Sequence, residues 1–115
     1  IRDVAVTGVQ TYALPISGIL TGDFNFRPND TLYDRMQTPD DNGLPAYRDA
    51  WCIVHPGEPH APTLGVHDKV QWPGDAFCCD FIWVTDDITM RVEAMTVNGV
   101  TDASDHQPVV LTLAD

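Results

Sequence analysis

Residues 77–85, Phe-Cys-Cys-Asp-Phe-Ile-Trp-Val-Thr, decide the fold of this 115-residue chain. Aromatic and β-branched side chains dominate the stretch, so it predicts a buried strand. Asp80 interrupts the apolar run, and because a lone carboxylate is costly to bury, we expect Asp80 to be paired. A histidine is the natural partner, since a carboxylate behind an imidazole fixes the tautomer of the ring and supports its cationic form.

The segments on either side of residues 77–85 also favour β-structure. Residues 17–22 predict a short buried strand, and residues 107–113 predict the last strand of the chain. Residues 90–97 alternate apolar with polar side chains, as a half-buried strand does. The apolar face of that strand is expected to carry Met90, Val92, Ala94 and Thr96. The predicted fold class is therefore α+β, with a β-rich C-terminal half.

Turn residues separate these strands and leave room for little helix. Asn29 or Asp30 could cap a short helix over residues 31–37. Residues 47–54 fit either a helical turn or a short strand. Residues 55–74 form a long loop rich in Pro, His and Gly, and loops of that length in a small domain tend to be functional or poorly ordered.

Two polar clusters stand at the ends of predicted strands. Asp23 and Asn25 follow the first strand, where positions two apart point to the same face, and Asp105 and His106 precede the last one. Each cluster alone has an ordinary explanation, because Gly, Asp and Asn are common where strands pass into turns. Taken together, the clusters predict one site built from two places in the sequence, as phosphoryl transfer would require.

The charge of the chain restricts its partners. There are 17 acidic residues against 6 basic ones, and the net charge is -11. This balance repels phosphate backbones, so nucleic acid is a possible partner that the charge does not favour. Acidic residues gathered at a cleft would instead suit a divalent cation, which reverses the sign of the local charge for an anionic substrate.

The apolar runs are too short for a membrane span, and the sequence indicates no compartment.

Cysteine and histidine positions match no standard disulfide or zinc pattern. An odd number of cysteines, two of them adjacent, favours buried or half-buried free thiols in strands at Cys52, Cys78 and Cys79. A zinc site in the long loop would use His55, His60 and His67, although their spacing fits no standard ligand set. The alternatives for this loop are a border of the substrate cleft or a solvated segment. Trp51 and Trp83 are predicted to be core residues.

Three stretches of the chain resemble, in order, signature motifs of the endonuclease/exonuclease/phosphatase superfamily. They are Gly-Asp-Phe-Asn at residues 22–25, Cys-Asp-Phe-Ile-Trp-Val at residues 79–84 and Ser-Asp-His-Gln-Pro-Val at residues 104–109. Thr-Leu-Gly at residues 63–65 is also similar to a Thr-x-Gly stretch of the family. The superfamily consists of metal-dependent phosphoesterases and includes DNase I-like nucleases, sphingomyelinases and inositol-phosphate phosphatases.

The resemblance implies a role for each residue of the two clusters. Asp23 would orient or deprotonate the attacking water, and Asn25 would hold a non-bridging phosphate oxygen. His106 would contact the scissile phosphate, with Asp80 paired behind it. Asp105 would lie at or near a divalent metal ion, Mg²⁺ or Mn²⁺. The implied function is hydrolysis of a phosphoester substrate by a nuclease, another phosphodiesterase or a phosphatase.

The resemblance also implies an incomplete fold. The family's domain is a four-layer α/β/β/α sandwich, of which residues 17–115 would supply the C-terminal half with mainly one antiparallel-rich sheet. The Asn and Glu that bind the metal in the family belong to the other half, so a missing N-terminal half is an expected partner. Residues 1–16 are an atypical segment that could mark a fragment junction. We therefore expect the isolated chain to be inactive, and unstable or self-associating.

Two other hypotheses remain open at this point. The first is a non-catalytic remnant or binding module of the same fold, which the missing metal-binding Glu favours. The second is a small secreted β-protein that binds zinc through its histidine-rich loop.

Overall fold

The computed structural model describes residues 17–39, 41–43 and 46–115, so the atypical segment expected at residues 1–16 lies outside the described residues. The elements follow in the order β1 (Ile19–Asp23), α1 (Thr31–Met36), β2 (Tyr47–Asp49), α2 (Ala50–Val54), β3 (Asp80–Thr85), a 3₁₀ helix (Asp86–Arg91), β4 (Val92–Val97) and β5 (Val109–Leu113). The predicted α+β class is confirmed. Within the described ranges, no helix has the length and apolar character needed to cross a membrane.

The strands form two antiparallel sheets. The first has the order β1-β3-β2, and the second pairs β4 with β5. The family resemblance implies mainly one sheet, and this expectation is wrong for a simple reason. Both edges of β3 are already taken by β1 and β2, so β4 and β5 pair with each other and their apolar side chains pack against one face of β3.

β3 is the central strand, and it is buried on both faces. Phe81 and Trp83 belong to one core cluster, whereas Ile82 and Val84 belong to another. Alternate side chains of a strand point to opposite faces, so two covered faces require an uninterrupted apolar run rather than an alternating one. This explains why residues 81–84 carry the clearest signal in the sequence.

The aromatic face of β3 packs against α1 and the turn that leads to it. The ring centroids of Tyr33 and Trp83 are 5.2 Å apart, and those of Phe26 and Phe81 are 5.4 Å apart. Asp30 caps α1 by accepting a hydrogen bond from the Leu32 amide at 3.0 Å, as predicted. Buried aromatic pairs of this kind contribute about 0.5–1.5 kcal/mol each beyond their area. These aromatic contacts hold the segment that follows β1 against β3.

The opposite face of β3 is covered by α2 and β4. Met95 is the buried residue of β4, with 2% exposure, whereas Met90 is 96% exposed, so the predicted faces of residues 90–97 are wrong. The pairing of β4 with β5 shifts between Val92 and Ala94. A bulge of this kind adds one residue to the strand, and every side chain after it changes face.

β1 is exposed along its whole length, which contradicts the buried strand predicted at residues 17–22. Ile19 and Leu20 are 47% and 41% exposed. β1 is an edge strand that pairs only with β3, and in the described part of the chain no further layer covers it. An apolar run predicts burial only where another element packs on it.

The tryptophans are core residues, as predicted, whereas Cys78 and Cys79 are buried as predicted but precede β3 instead of lying in a strand. Trp51 and Trp83 are buried, as are the free thiols of Cys78 and Cys79. Cys52 is exposed and lies on α2, so the strand predicted for it is wrong. Residues 47–54 contain both of the predicted alternatives, because Asp49 ends β2 and caps α2.

Candidate functional site

Two carboxylates meet at one end of the first sheet. β1 ends at Asp23 and β3 begins at Asp80, and the antiparallel register places these residues directly opposite each other. Opposite residues of an antiparallel pair lie within about 5.5 Å of each other at Cα. Carboxylates on residues this close together repel each other unless a cation or a proton donor lies between them.

His106 supplies that donor. Its Nδ1 lies 2.9 Å from Asp80 Oδ2, and its Nε2 lies 3.7 Å from Asp23 Oδ2. The burial of an acid in β3 predicts a histidine partner, the family resemblance implies that it is His106, and the structure contains this pair. Because Nδ1–H donates to Asp80, Nε2 faces Asp23 and the solvent. The imidazole is 33% exposed and the Asp23 side chain 37%, so a ligand can reach both.

Thr63 positions the buried acid of this group. Its hydroxyl donates to Asp80 Oδ2 at 2.6 Å and accepts hydrogen bonds from the backbone amides of Cys79 and Asp80 at 3.1 and 3.2 Å. Thr63 is fully buried. A β-branched side chain with three hydrogen bonds has little freedom, so the carboxylate it holds has one orientation. The resemblance of residues 63–65 to a family motif was the one sequence signal for this role.

The loop that carries His106 is fixed from both sides. The Gln107 amide donates to the Thr63 carbonyl at 2.7 Å, and the Gln107 side chain donates to the carbonyls of Asn98 and Thr101, each at 2.8 Å. Ser104 Oγ accepts the His106 amide at 3.1 Å. The sequence reasoning missed Gln107, although its place directly after His106 within a motif could have indicated it.

The charges around His106 favour its cationic form. The hydrogen bond to Asp80 raises the pKa of His106 above its usual 6.5, and the charges of Asp80, Asp23 and Asp105 add to this effect, while partial burial opposes it. Asp105 therefore acts on the site through its charge. Its Oδ1 lies 3.5 Å from Ser104 Oγ, outside the group of side chains that converge on His106.

Asn25 reaches the site by a different geometry from the predicted one. β1 ends at Asp23, so the two residues do not share a strand face; Asn25 lies in a turn with a positive φ of 56°. Its backbone amide donates to Asp23 Oδ1 at 2.8 Å, which is an Asx-type turn. Asparagine tolerates this left-handed backbone better than most residues. The Asn25 side chain is exposed, and in the described part of the chain it makes no hydrogen bond.

The cluster offers ligand atoms for a cation. One atom from each of Asp23, Cys79, Asp80 and His106 lies within 4.8 Å of the others. Burial, followed by the charges of Asp80 and Asp23, raises the pKa of Cys79 to about 12, so its thiol stays protonated at neutral pH. What remains for an ion is chiefly the exposed Asp23 carboxylate, with Asp105 nearby in the chain. Mg²⁺ is often held by one or two carboxylates, waters and substrate phosphate, so these residues fit it in part.

The three histidines of the long loop do not form one site. His55 Nε2 lies 2.8 Å from the Met95 carbonyl, His60 Nε2 lies 2.5 Å from Asp49 Oδ2, and His67 Nε2 lies 2.9 Å from the Gly99 carbonyl. In residues 46–115 no group of convergent ligand atoms contains more than one of them. The alternative of a zinc site formed by these three residues together is therefore excluded.

No protein-family model matches this chain, and neither a curated protein nor a solved structure is similar enough to count as a match.

Proposed function

We propose that this chain supplies part of the active site of a metal-dependent phosphoester hydrolase of the endonuclease/exonuclease/phosphatase superfamily. The observation that supports it best is the arrangement of Asp80, His106 and Asp23. The imidazole is held through Nδ1 by a largely buried carboxylate, and its Nε2 faces a second, exposed carboxylate. The three residues come from two strands and a loop that are distant in sequence.

The arrangement can carry the proton transfers of phosphoester hydrolysis. Asp23 accepts a proton from the water that attacks phosphorus, and His106 donates a hydrogen bond from Nε2–H to a phosphate oxygen. The attack forms one P–O bond and breaks the ester P–O bond, and the leaving oxygen takes up the Nε2 proton of His106. Because Nδ1 stays bonded to Asp80, the mobile proton of the ring is the one at Nε2. Asn25 is exposed next to Asp23, where its amide could donate to a second phosphate oxygen.

A divalent ion completes this chemistry in the proposal. Mg²⁺ or Mn²⁺ would neutralise charge on the phosphate, and Asp105 is the residue that the family resemblance assigns to it. The remaining protein ligands would come from the expected partner, a segment equivalent to the N-terminal half of the family's domain. The exposed Ile19 and Leu20 side chains of β1 support such a covering layer, as in a four-layer sandwich.

One observation favours a second candidate, a non-catalytic module of the same fold. Asp80 Oδ2 already accepts hydrogen bonds from Thr63 and His106, which leaves Asp23 as the exposed carboxylate of the cluster. A site with one accessible carboxylate could bind a phosphate-bearing ligand through His106 without hydrolysing it.

Hydrolysis assays separate the two candidates. The polypeptide encoded by the complete reading frame around these residues is tested against small phosphodiesters, phosphomonoesters and single-stranded DNA, with Mg²⁺ and with EDTA. We expect Mg²⁺-dependent hydrolysis that falls by about 100-fold or more in Asp23→Asn and in His106→Ala, the usual scale for a lost general acid or base. The isolated 115-residue chain is expected to be inactive.

The control variant is Asp75→Asn, which removes an exposed carboxylate that lies outside all three motifs and should leave the rate unchanged. A complete protein that binds phosphate analogues and hydrolyses nothing would support the non-catalytic module. Equal rates for the wild type and Asp23→Asn would contradict the proposed role of Asp23.

A further inference from the structure

A second group of ligand-bearing side chains lies at the junction of β2 and α2. Asp49 Oδ2 is 2.5 Å from His60 Nε2 and 3.8 Å from Cys52 Sγ. One atom from each of the three residues lies within 4.8 Å of the other two. Cys52 follows Asp49 by three residues, which places the two on one side of the first helical turn, and His60 returns to them from the long loop.

The pair of Asp49 and His60 is held rigidly. The Asp49 side chain is 1% exposed and that of His60 is 10% exposed. Asp49 Oδ1 accepts the Trp51 amide at 3.0 Å, and Oδ2 also accepts the Tyr33 hydroxyl at 2.6 Å. The His60 ring lies among aromatic rings, with centroid distances of 5.8 Å to Trp51 and 5.7 Å to Phe81. The two side chains are thus held next to each other, and a bound ion would replace the hydrogen bond between them.

Cys52 is the member of the group that does not belong to the buried core. It is exposed, whereas the other two cysteines are buried. Its Sγ lies 3.5 Å from the Tyr33 hydroxyl and 3.8 Å from Asp49 Oδ2, at the outer side of the buried pair. An exposed thiol beside a fixed imidazole and carboxylate gives an ion a path from solvent to three different donor atoms.

We propose that Asp49, Cys52 and His60 bind a divalent transition-metal ion of the Zn²⁺ class, independently of the phosphoester site. A sulfur, a nitrogen and an oxygen donor are the set that Zn²⁺ prefers, and water would take the fourth position. The thiolate and the carboxylate together neutralise the charge of the ion. Mg²⁺ does not compete, because it binds oxygen ligands and avoids thiolates.

Binding requires two proton shifts. The Cys52 thiol loses its proton to solvent, and the proton on His60 Nε2 moves to Nδ1 so that Nε2 can ligate. Cys52 is exposed as a residue, but partial burial of its sulfur and the nearby Asp49 raise the pKa of its thiol. Without an ion the thiol is therefore protonated at neutral pH, and metal uptake releases a proton. The Tyr33 pKa is raised as well, so its hydroxyl keeps its proton and continues to donate to Asp49 behind the ion.

Titration of the metal-free chain with Co²⁺ tests the site, because a cysteine thiolate bound to Co²⁺ gives a charge-transfer absorption in the near ultraviolet. We expect this band in the unaltered protein, its loss when Zn²⁺ is added, and its absence in Cys52→Ser. Cys79→Ser is the matched control, since Cys79 lies in the other convergent group. A band that is absent from the unaltered protein, that survives Cys52→Ser, or that is lost in Cys79→Ser would overturn the proposal.

A second measurement needs no variant. Alkylation of the unaltered protein by iodoacetamide, mapped by mass spectrometry, should slow at Cys52 when ZnCl₂ is present and should not change with MgCl₂. An unchanged rate at Cys52 with ZnCl₂ would overturn the proposal whatever the folding of the variants. Neither measurement depends on phosphoester hydrolysis.

Discussion

Among the described residues, two hydrogen-bonded histidine–aspartate pairs differ mainly in burial. Asp80 and His106 are joined at 2.9 Å with side-chain exposures of 12% and 33%, and Asp49 and His60 are joined at 2.5 Å with exposures of 1% and 10%. Both acids belong to strands of the first sheet. The same two side chains therefore occur once at an open edge, facing a second carboxylate, and once among aromatic rings.

Each pair also has its own cysteine, with the burial reversed. Cys79 Sγ lies 3.5 Å from Asp80 Oδ2 and is buried, whereas Cys52 Sγ lies 3.8 Å from Asp49 Oδ2 and is exposed. The open pair, Asp80 and His106, thus has an accessible imidazole and a buried thiol beside it. The buried pair, Asp49 and His60, has a largely covered imidazole and an exposed thiol beside it. Residue type alone would assign both groups the same chemistry, and their difference in burial is the reason for proposing acid–base chemistry at one pair and a transition-metal site at the other.

The largest expected effect is a difference in stability between Asp49→Ala and Asp80→Ala. Asp49→Ala leaves three donors buried without an acceptor: the Trp51 amide, the Tyr33 hydroxyl and His60 Nε2–H. Breaking a buried pair in this way costs about 3–5 kcal/mol. Asp80→Ala strands fewer donors in a more exposed place, and we expect a loss of about 1–2 kcal/mol. Urea unfolding in EDTA, which removes any metal contribution, measures both.

Asp75→Ala serves as the reference for this comparison, because a surface substitution without such contacts stays within about 0.5 kcal/mol. Equal losses in Asp49→Ala and Asp80→Ala would mean that burial does not distinguish the two pairs.

The next effect is on the protonation of the open pair. Since the pKa of His106 is raised above 6.5 chiefly by Asp80, Asp80→Asn should lower it. The sign for stability follows from linkage: a group with a raised folded pKa stabilises fully below its unfolded value, near pH 6.5, and this contribution is lost as the pH rises through the folded pKa. The difference in stability between wild type and Asp80→Asn should therefore shrink as the pH rises.

Nuclear magnetic resonance titration of the His106 ring protons measures this pKa directly. Asp105→Asn is the finer control, because Asp105 is the last and smallest of the causes and should move the pKa less than Asp80→Asn does. A His106 pKa at or below 6.5 in the unaltered protein would contradict the electrostatic description of the open pair.

Local patterns in the sequence were enough to predict most elements and a histidine partner for Asp80, and the family resemblance was needed to identify that partner as His106. The apolar run around β3 and the cap at Asp30 are local signals, and the burial of Asp80 in that run was sufficient to predict a histidine partner. The predictions that were wrong concern features that depend on contacts between distant segments. The exposure of β1 depends on whether a layer covers it, and the face of Met95 depends on a bulge set by pairing with β5.

The buried pair was missed for the same reason. The sequence analysis did not single out Asp49, and it grouped His60 with His55 and His67 because they are close in sequence. In the structure the partner of His60 is Asp49, eleven residues before it, while His55 and His67 turn to backbone carbonyls elsewhere. Proximity in a loop says little about which side chains converge, whereas a buried acid implies a partner wherever it lies.

The smallest effect concerns the reactivity of the two thiols next to the pairs. With Ellman's reagent and no metal present, the folded protein should expose only Cys52 of its three cysteines, because Cys78 and Cys79 are buried and burial raises the pKa of each to about 12. Cys52 should itself react more slowly than a free thiol, since its pKa is also raised.

Asp49→Asn removes one of the charges that raise the pKa of Cys52 and should speed the reaction at this thiol, whereas Asp80→Asn should leave the rate at Cys52 unchanged. A faster reaction at Cys79 than at Cys52 would reverse the assignment of the open and covered thiols, and with it the reason for placing a transition metal at one pair and a phosphoester at the other.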